Sequence, residues 1–453
     1  MLEQLRAELG EVLVTDPVAL DALRADKSGQ RSDGPPLALV EAREVAHVQA
    51  ALRWAHAHDV PVVPRGAGTG LAGGAIGRSG ELVVSTARMT RVLEISADDE
   101  LAVVEAGLVN AALNAALAPH GLWYAPDPAS RDISTIGGNI ATNAGGLMCV
   151  KYGVTREAVL GLAVVLADGR LLRLGRRTVK GVTGYDLTAL FIGSEGTLGV
   201  VVEATLRLRR LDRGEVVTLS AAFPDVAAAA AAAAAITAAG IRPAALELLD
   251  ASALEAIGAH LGLDLGARAA QLLVQTDGAA AAVEAAAVLA ILGAHGGAAE
   301  RAADADEGER LFAVRRAFHP AMERLGTVLI EDVAVPRSAL PDMFAAIGRI
   351  EREHGIRIPT VAHAGDGNLH PNFVITAHDG SGEVGVPDEV WAAADDLFRE
   401  CLRLGGTLTG EHGVGLLKRR WLRDELGDDA VELQRGIKAV FDPTGILNPG
   451  KVF

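Results

Sequence analysis

Cysteine is almost missing from this chain. Its two copies, Cys149 and Cys401, stand far apart, which excludes a disulfide framework and the clustered thiolates of a zinc ribbon or iron–sulfur site. That scarcity favours a reducing, cytoplasmic setting. Basic residues are outnumbered, 42 Lys and Arg against 58 Asp and Glu, for a net charge of -16. This argues against nucleic acid as a partner and against a sequence-independent grip on an anionic membrane. Long hydrophobic runs are missing too. The one low-complexity tract, VAAAAAAAAAI from Val226 to Ile236, is too short and too weakly apolar to span a bilayer. It reads as a helix that starts after Pro224 and Asp225 and stops near Gly240. The N-terminal MLEQLRAELGEVL carries charges every few residues and reads as an amphipathic helix, without the apolar centre of a signal peptide. No amphipathic basic stretch calls for membrane docking, although peripheral attachment at the inner face of the membrane stays open.

What is present is a chain of 453 residues, half of them hydrophobic, long enough for two domains. Glu44 to His58 places Val45, Val48, Leu52 and Ala55 on one helical face, and Val60–Val63 follows as a short strand. ELVVS (81–85) and ELAVVEAG (100–107) read as strands, Val109 to Pro119 as a helix ended by Gly121. LAVVLADGRLLRL (162–174) reads as a hairpin about Asp168-Gly169. After Leu211 the order becomes strand, alanine helix, strand, and then repeats, which suits an open sheet covered on one face. The class expected is α+β. The closing FDPTGILNPGKVF is rich in turn residues and is expected to lie across the first domain.

Three glycine-rich segments stand out. PRGAGTGLAGG, Pro64 to Gly74, contains GxGxxG at Gly68, Gly70 and Gly73, with Glu94 about where the ribose-binding acid of a dinucleotide fold stands. The context is wrong for that fold, because GGAIGRSG runs into a strand where a helix should open. Closely spaced glycines still let consecutive backbone amides converge on an anion. STIGGNIATNAGG (Ser134 to Gly146) has the same loop-like character, and GSEGTLGVVVEATLRL from Gly193 runs a glycine loop into a strand. Three such loops suggest one large polar ligand.

Polar chemistry is concentrated in HAGDGNLHPN, His363 to Asn372, and in GGTLTGEHGVG, Gly405 to Gly415. Imidazoles and a carboxylate are ligands that zinc or manganese accepts, and two histidines with one carboxylate leave positions open for substrate. Adjacent Glu411 and His412 would point to opposite faces of a regular strand. Gly410, Gly413 and Gly415 permit the departure that aims both at one centre. Spacing alone does not decide between a metal site and hydrogen-bonded structural histidines, and Asp366, between glycines, suits a turn as well as a ligand.

The three glycine segments resemble the FAD-binding domain of the vanillyl-alcohol-oxidase flavoprotein superfamily. HAGDGNLHPN and TGEHGVG resemble the C-terminal signatures of the FAD-linked D-2-hydroxy-acid dehydrogenases, which include D-lactate dehydrogenases, D-2-hydroxyglutarate dehydrogenases and the flavin subunit of glycolate oxidase. The resemblance implies a two-part FAD-binding domain over residues 1–211 and an open-sheet α+β substrate or cap domain over 212–405. Residues 406–453 would carry the catalytic Glu-His and return to the FAD domain. It implies that Pro64, Arg65, Gly66, Ala67, Gly68, Thr69 and Gly70 wrap the FAD pyrophosphate. Ser134, Gly137, Gly138, Asn139, Thr142, Asn143 and Gly146 would lie along the flavin and its chain. Glu195, Gly196, Val200 and Val201 would meet the nucleotide end, with Asn448 as a flavin contact. Thr69 stands where some relatives attach FAD through histidine, so a non-covalent flavin is expected.

By the same resemblance His363, His370 and Glu411 bind a divalent metal, His412 is the base, and Asn368 helps to hold substrate. Arg315 in FAVRRAFHP anchors the substrate carboxylate, with Arg316 as the fallback. The reaction implied is oxidation of a small D-2-hydroxy acid, D-lactate or glycolate, by hydride transfer to flavin N5. Near IEDVAVPRS, Ile330 and Glu331 stand where a dicarboxylate enzyme needs a basic group, which counts against 2-hydroxyglutarate. Rival readings are a metal hydrolase and a non-redox enzyme like the alkylglycerone-phosphate synthases. The electron acceptor stays open among a quinone, an electron-transfer protein and an iron–sulfur subunit, and a homodimer is compatible. Tyr152 and Lys180 read by default as core packing and a solvated charge.

Overall fold

The computed structural model describes residues 2–211, 214–265, 268–375 and 386–453. The chain divides into two compact units. One comprises Met1–Gly145, Gly153–Leu211 and Glu411–Phe453, the other Gly146–Tyr152 and Asp212–Gly410.

Among the described residues, the first unit carries a four-stranded sheet in the order Leu13–Val14, Ala38–Glu41, Leu82–Ser85, Val62–Arg65. Its last three strands run parallel. The helix Val45–Ala57 buries Val48, Ala51, Leu52 and Ala55, the i, i+3, i+4, i+7 stripe that faces a core. The parallel strands Val62–Arg65 and Leu82–Ser85 are joined by a coil in which no helix opens, so the dinucleotide turn is absent. Glu94 is engaged at the surface by Arg177, whose Nη1 donates to it at 2.7 Å.

A five-stranded antiparallel sheet follows, ordered Val92–Ser96, Leu101–Glu105, Val200–Arg207, Val159–Val165, Leu171–Gly175. Its hairpin turns at Asp168-Gly169, where Gly169 takes φ +82°, a backbone state that glycine adopts without penalty. Ser134–Gly146, expected to be a loop throughout, contains the short helix Ile136–Thr142, capped by Thr135 and closed by left-handed Asn143. Glycines weaken a helix, yet here close approach decides. A Cβ added to Gly137 would stand 2.8 Å from the Ala106 side chain. The C-terminal stretch threads back into the parallel sheet: Val62 N donates to Ile446 O at 2.7 Å, and Asn448 N to Val62 O at 2.7 Å.

The second unit is built on an open eight-stranded sheet whose pairings are all antiparallel. The sequence suggests cover on one face, but Ala245–Asp250 and Ala270–Asp277 are buried at nearly every position. Successive strand residues point to opposite faces, so both faces are covered. On one, Ala245, Leu249, Leu273 and Val361 meet Phe312, Phe318 and Met322. Helices Val226–Ala238 and Ala281–Ala294 also pack on the sheet. The polyalanine helix starts at Asp225, whose carboxylate accepts from Ala228 N at 2.7 Å. It buries Ala229, Ala230, Ala232, Ala233 and Ile236, small side chains that let backbones come close. Among the described residues, no helix is long and apolar enough to cross a membrane, and the buried Cys149 and Cys401 are not joined by a disulfide.

Candidate active site

In the first unit the glycine segments meet one another. A Cβ on Gly66 would stand 2.4 Å from Thr135 Oγ1, so Gly66 has to lack one for the first loop to lie against the cap of Ile136–Thr142. Gly68, at φ +72°, has the Arg65 guanidinium where its own side chain would be. That guanidinium donates to Ala75 O at 2.6 Å and to Ala25 O at 3.0 Å, and burial lowers its pKa. It organises the loop from within. Thr69 and Gly70 are half-buried and Ala67 is exposed.

Ser134 and Asn139 are buried in a small amide network. Asn139 Nδ2 donates to Ser134 Oγ at 3.1 Å, and Asn110 Nδ2 to Pro126 O at 3.1 Å. Thr142 donates back to Gly138 O at 3.3 Å, and Asn143 Oδ1 accepts from Arg156 N at 2.9 Å. Gly196 packs on Pro64, while Val200 and Val201 open the strand Val200–Arg207. Gly146 begins the short excursion into the second unit. Side-chain-free backbone, a helix start and hydroxyls at Thr69, Ser134 and Thr135 together suit a pyrophosphate-bearing cofactor.

Glu195 does not reach outward. Its carboxylate accepts from Val414 N at 2.7 Å and Gly415 N at 2.9 Å, and burial lifts its pKa to about 7 against the pull of those amides and of Lys418 and Lys451. Asn448 Nδ2 donates to Glu195 O at 2.8 Å and Gly74 O at 3.0 Å. Gly413 and Gly415 have φ of +87° and +50°, so the turn leaves strand geometry. Glu411 Oε1 and His412 Nε2 come to 3.9 Å. A Cβ on Gly145 would stand 2.4 Å from Glu411 Oε2.

In the second unit, strands Thr360–His363 and Asn368–Ile375 form a hairpin in which His363 pairs with Asn368 and Val361 with His370. Asp366 lies in the turn and Gly367 has φ +81°. This register makes the two histidines diagonal neighbours on one face. Their ring centroids lie 5.0 Å apart, nearly perpendicular. The neighbouring strand sets Glu247 opposite His363, with Glu247 Oε1 2.7 Å from His363 Nδ1. Glu247 Oε2 accepts from Arg315 Nε at 2.9 Å. An ionised carboxylate can only accept, so His363 Nδ1 carries a proton and, in the neutral ring, Nε2 bears the lone pair.

Asp332 serves the other histidine. It lies 3.6 Å from His370 Nδ1 and accepts from Asn368 Nδ2 at 2.6 Å and Thr409 Oγ1 at 2.7 Å. An imidazole hydrogen-bonded to a carboxylate, as His363 is to Glu247, is the arrangement that orients a metal ligand; Asp332 stands beside His370 at ion-pair rather than hydrogen-bond distance. Arg315, Asn368, His363 and His370 are all buried, whereas Arg316 is exposed and pairs with Glu309. Ile330 pairs with Asn372, which puts an apolar side chain on the histidine face. Tyr152 donates to the buried carboxylate of Asp277 at 2.5 Å, a polar role for a residue expected to pack in the core. Lys180 is exposed.

Glu247 and Asp332 were not foreseeable as site residues. Glu247 is a lone acid in an apolar strand and Asp332 follows Glu331 between two short strands, and only the fold brings each to a histidine.

Glycine segments that suit a pyrophosphate-bearing cofactor in one unit, and a histidine pair beside buried carboxylates in the other, agree with the class to which the chain belongs, the flavin-dependent oxidoreductases. Residues 36–175 match the FAD binding domain and residues 214–452 the C-terminal domain of the FAD linked oxidases, and the chain belongs to that family. It is similar to the glycolate oxidase subunit GlcD of Bacillus subtilis (strain 168), 41% identical over 92% of this chain and 89% of that protein. The D-lactate dehydrogenase of Archaeoglobus fulgidus is 36% identical, with 98% of each chain covered. Substrate-bound p-cresol methylhydroxylase shares the fold, with a TM-score of 0.80 at 18% identity over 100% of this chain and 96% of that one.

Proposed function

We propose that this protein oxidises a small D-2-hydroxy acid, lactate or glycolate, to the corresponding 2-oxo acid. The observation that carries the reading is the buried array His363–Glu247–Arg315. A single carboxylate holds a guanidinium and an imidazole together, the first suited to the carboxylate of a 2-hydroxy acid and the second to a divalent ion beside its alcohol.

Arg315 engages Glu247 through Nε, and its terminal nitrogens form a fork suited to a substrate carboxylate. Asn368 commits its amide nitrogen to Asp332 and to Val333 O, so its oxygen is the atom offered to the substrate hydroxyl. His412 takes the hydroxyl proton as C2 is oxidised, and the neighbouring Glu411 carboxylate stabilises the imidazolium that results. FAD, held along the glycine segments of the first unit, would supply the hydride acceptor for C2. A divalent ion, zinc or manganese, would be held by His363, His370 and Glu411 and would make the hydroxyl more acidic. Glu411 follows Gly410, which lies in the second unit against the Asn368 amide.

Ile330 supports a monocarboxylate, because an apolar side chain on the histidine face gives a second carboxylate no partner. FAD is held without a covalent bond, and denaturation releases it into the supernatant. The test is anaerobic: the oxidised protein is mixed with D-lactate, glycolate or D-2-hydroxyglutarate. Bleaching by a small acid, suppressed by chelation and about 10²–10⁴-fold slower in His412→Ala, is the expected result. Bleaching by D-2-hydroxyglutarate alone would reassign the substrate, and none with any acid would sink the reading.

A further inference from the structure

The sequence motif places Glu195 among the cofactor contacts, yet its side chain bonds the segment that follows Glu411 and His412. Both carboxylate oxygens are used, one on Val414 N and one on Gly415 N. The fit is close. A Cβ on Gly413 would stand 2.9 Å from the Glu195 carboxyl carbon, and one on Gly415 would stand 2.1 Å from Ala72 O and 2.6 Å from its carbonyl carbon. The turn therefore rests on Glu195 from one side and on the first glycine loop from the other.

The backbone of the same residue is tied to the remaining parts of the flavin cradle. Glu195 N donates to Ala141 O at 2.8 Å, at the end of Ile136–Thr142. Its carbonyl accepts from Asn448 Nδ2, which also holds Gly74 O. Glu195 itself has φ +51°, in the left-handed region, between Gly193 and Gly196 at +79° and +72°. A non-glycine residue there is uncommon and persists only where its surroundings hold it.

We infer that Glu195 is a positioning residue that sets the Glu411–His412 turn against the flavin cradle, so that the base and the hydride acceptor share one rigid reference. It acts through Val414 and Gly415 and touches neither substrate nor reacting atoms. The inference rests on the proposed oxidation for its kinetic consequence. Its structural content is independent of that reading.

Replacement by glutamine separates positioning from folding, because Glu195→Gln keeps the shape and one acceptor but sets an amide N–H against a backbone N–H. In the full-length FAD-loaded protein, FAD occupancy and thermal midpoint should stay near wild type. The limiting rate of anaerobic flavin reduction should fall about 10–100-fold, the scale expected when a reacting group is misplaced. The acid concentration giving half that rate should change less than about threefold. An unchanged limiting rate, or a fall matched by lost FAD, overturns the inference. Amide exchange over residues 411–418 provides a readout that needs no substrate. Exchange should quicken about tenfold in Glu195→Gln while Ile136–Thr142 keeps its protection, and no change there overturns the inference even if no acid reduces the wild type. Should the glutamine variant fail to fold, Glu195→Asp, which keeps the charge but shortens the reach, is held to the same criteria.

Discussion

Glu247 is fully buried and satisfies a histidine and an arginine at once. Its charge is what fixes the His363 tautomer, so Glu247→Gln should weaken divalent-metal affinity about 10–100-fold. Metal content after dialysis against a graded chelator measures this, and wild-type retention would deny Glu247 that role. The histidines, Glu411 and His412 stand out in the sequence because their residue types carry chemistry within short motifs, while Arg315 is expected only from the resemblance. Glu247 and Asp332 could not, since strand register, set by contacts more than 30 residues away in sequence, decides which acid faces which ring. The partner of the Glu195 side chain is not legible in the sequence for a related reason. The glycine loop marks a ligand-binding segment, but the partner of its one carboxylate lies more than 200 residues further on.

Among the elements, hairpins and amphipathic helices were readable because turn chemistry and periodicity are local. Ile136–Thr142 was hidden because its glycines argue against a helix, and only close packing on Ala106 makes them useful. The helix Ala251–Leu261 shows how one cap joins two elements. Asp250 accepts from Ala253 N at 2.7 Å and from Thr360 N at 2.9 Å, holding the helix start and the histidine-bearing strand together. Asp250→Ala should cost roughly 1–2 kcal/mol of stability. Burial raises the Asp250 pKa to about 7, so the folded state binds this proton more tightly than the unfolded chain does. Its contribution is full below about pH 4 and is lost as pH rises through about 7. Urea midpoints at pH 5 and pH 8 should therefore differ less in Asp250→Asn than in wild type; an equal difference would remove Asp250 as the cause.

For the molecule as a whole, chain order and spatial order disagree. Ile446 and Leu447 sit in the core beside Val62, Lys451 Nζ donates to Ile76 O at 2.6 Å, and Asn448 spans two of the glycine segments. Deleting Pro443–Phe453 should leave a chain that does not retain FAD, because the first unit loses a backbone rung beside Val62 and a buried lysine at once. The flavin-to-protein ratio after gel filtration tests this, and a fully loaded truncate would show the tail to be dispensable.

The same interleaving governs the order of events at the ribosome. Residues that finish the first unit emerge only after all of the second has been made, so the nascent flavin unit waits with Val62 and its neighbours uncovered for most of the chain's synthesis. Domains fold as soon as their sequence is available, and contacts some 380 residues apart are slow to form. The second unit, whose long stretch is continuous, is placed to fold first, and FAD capture becomes a late step that reports completion of the chain.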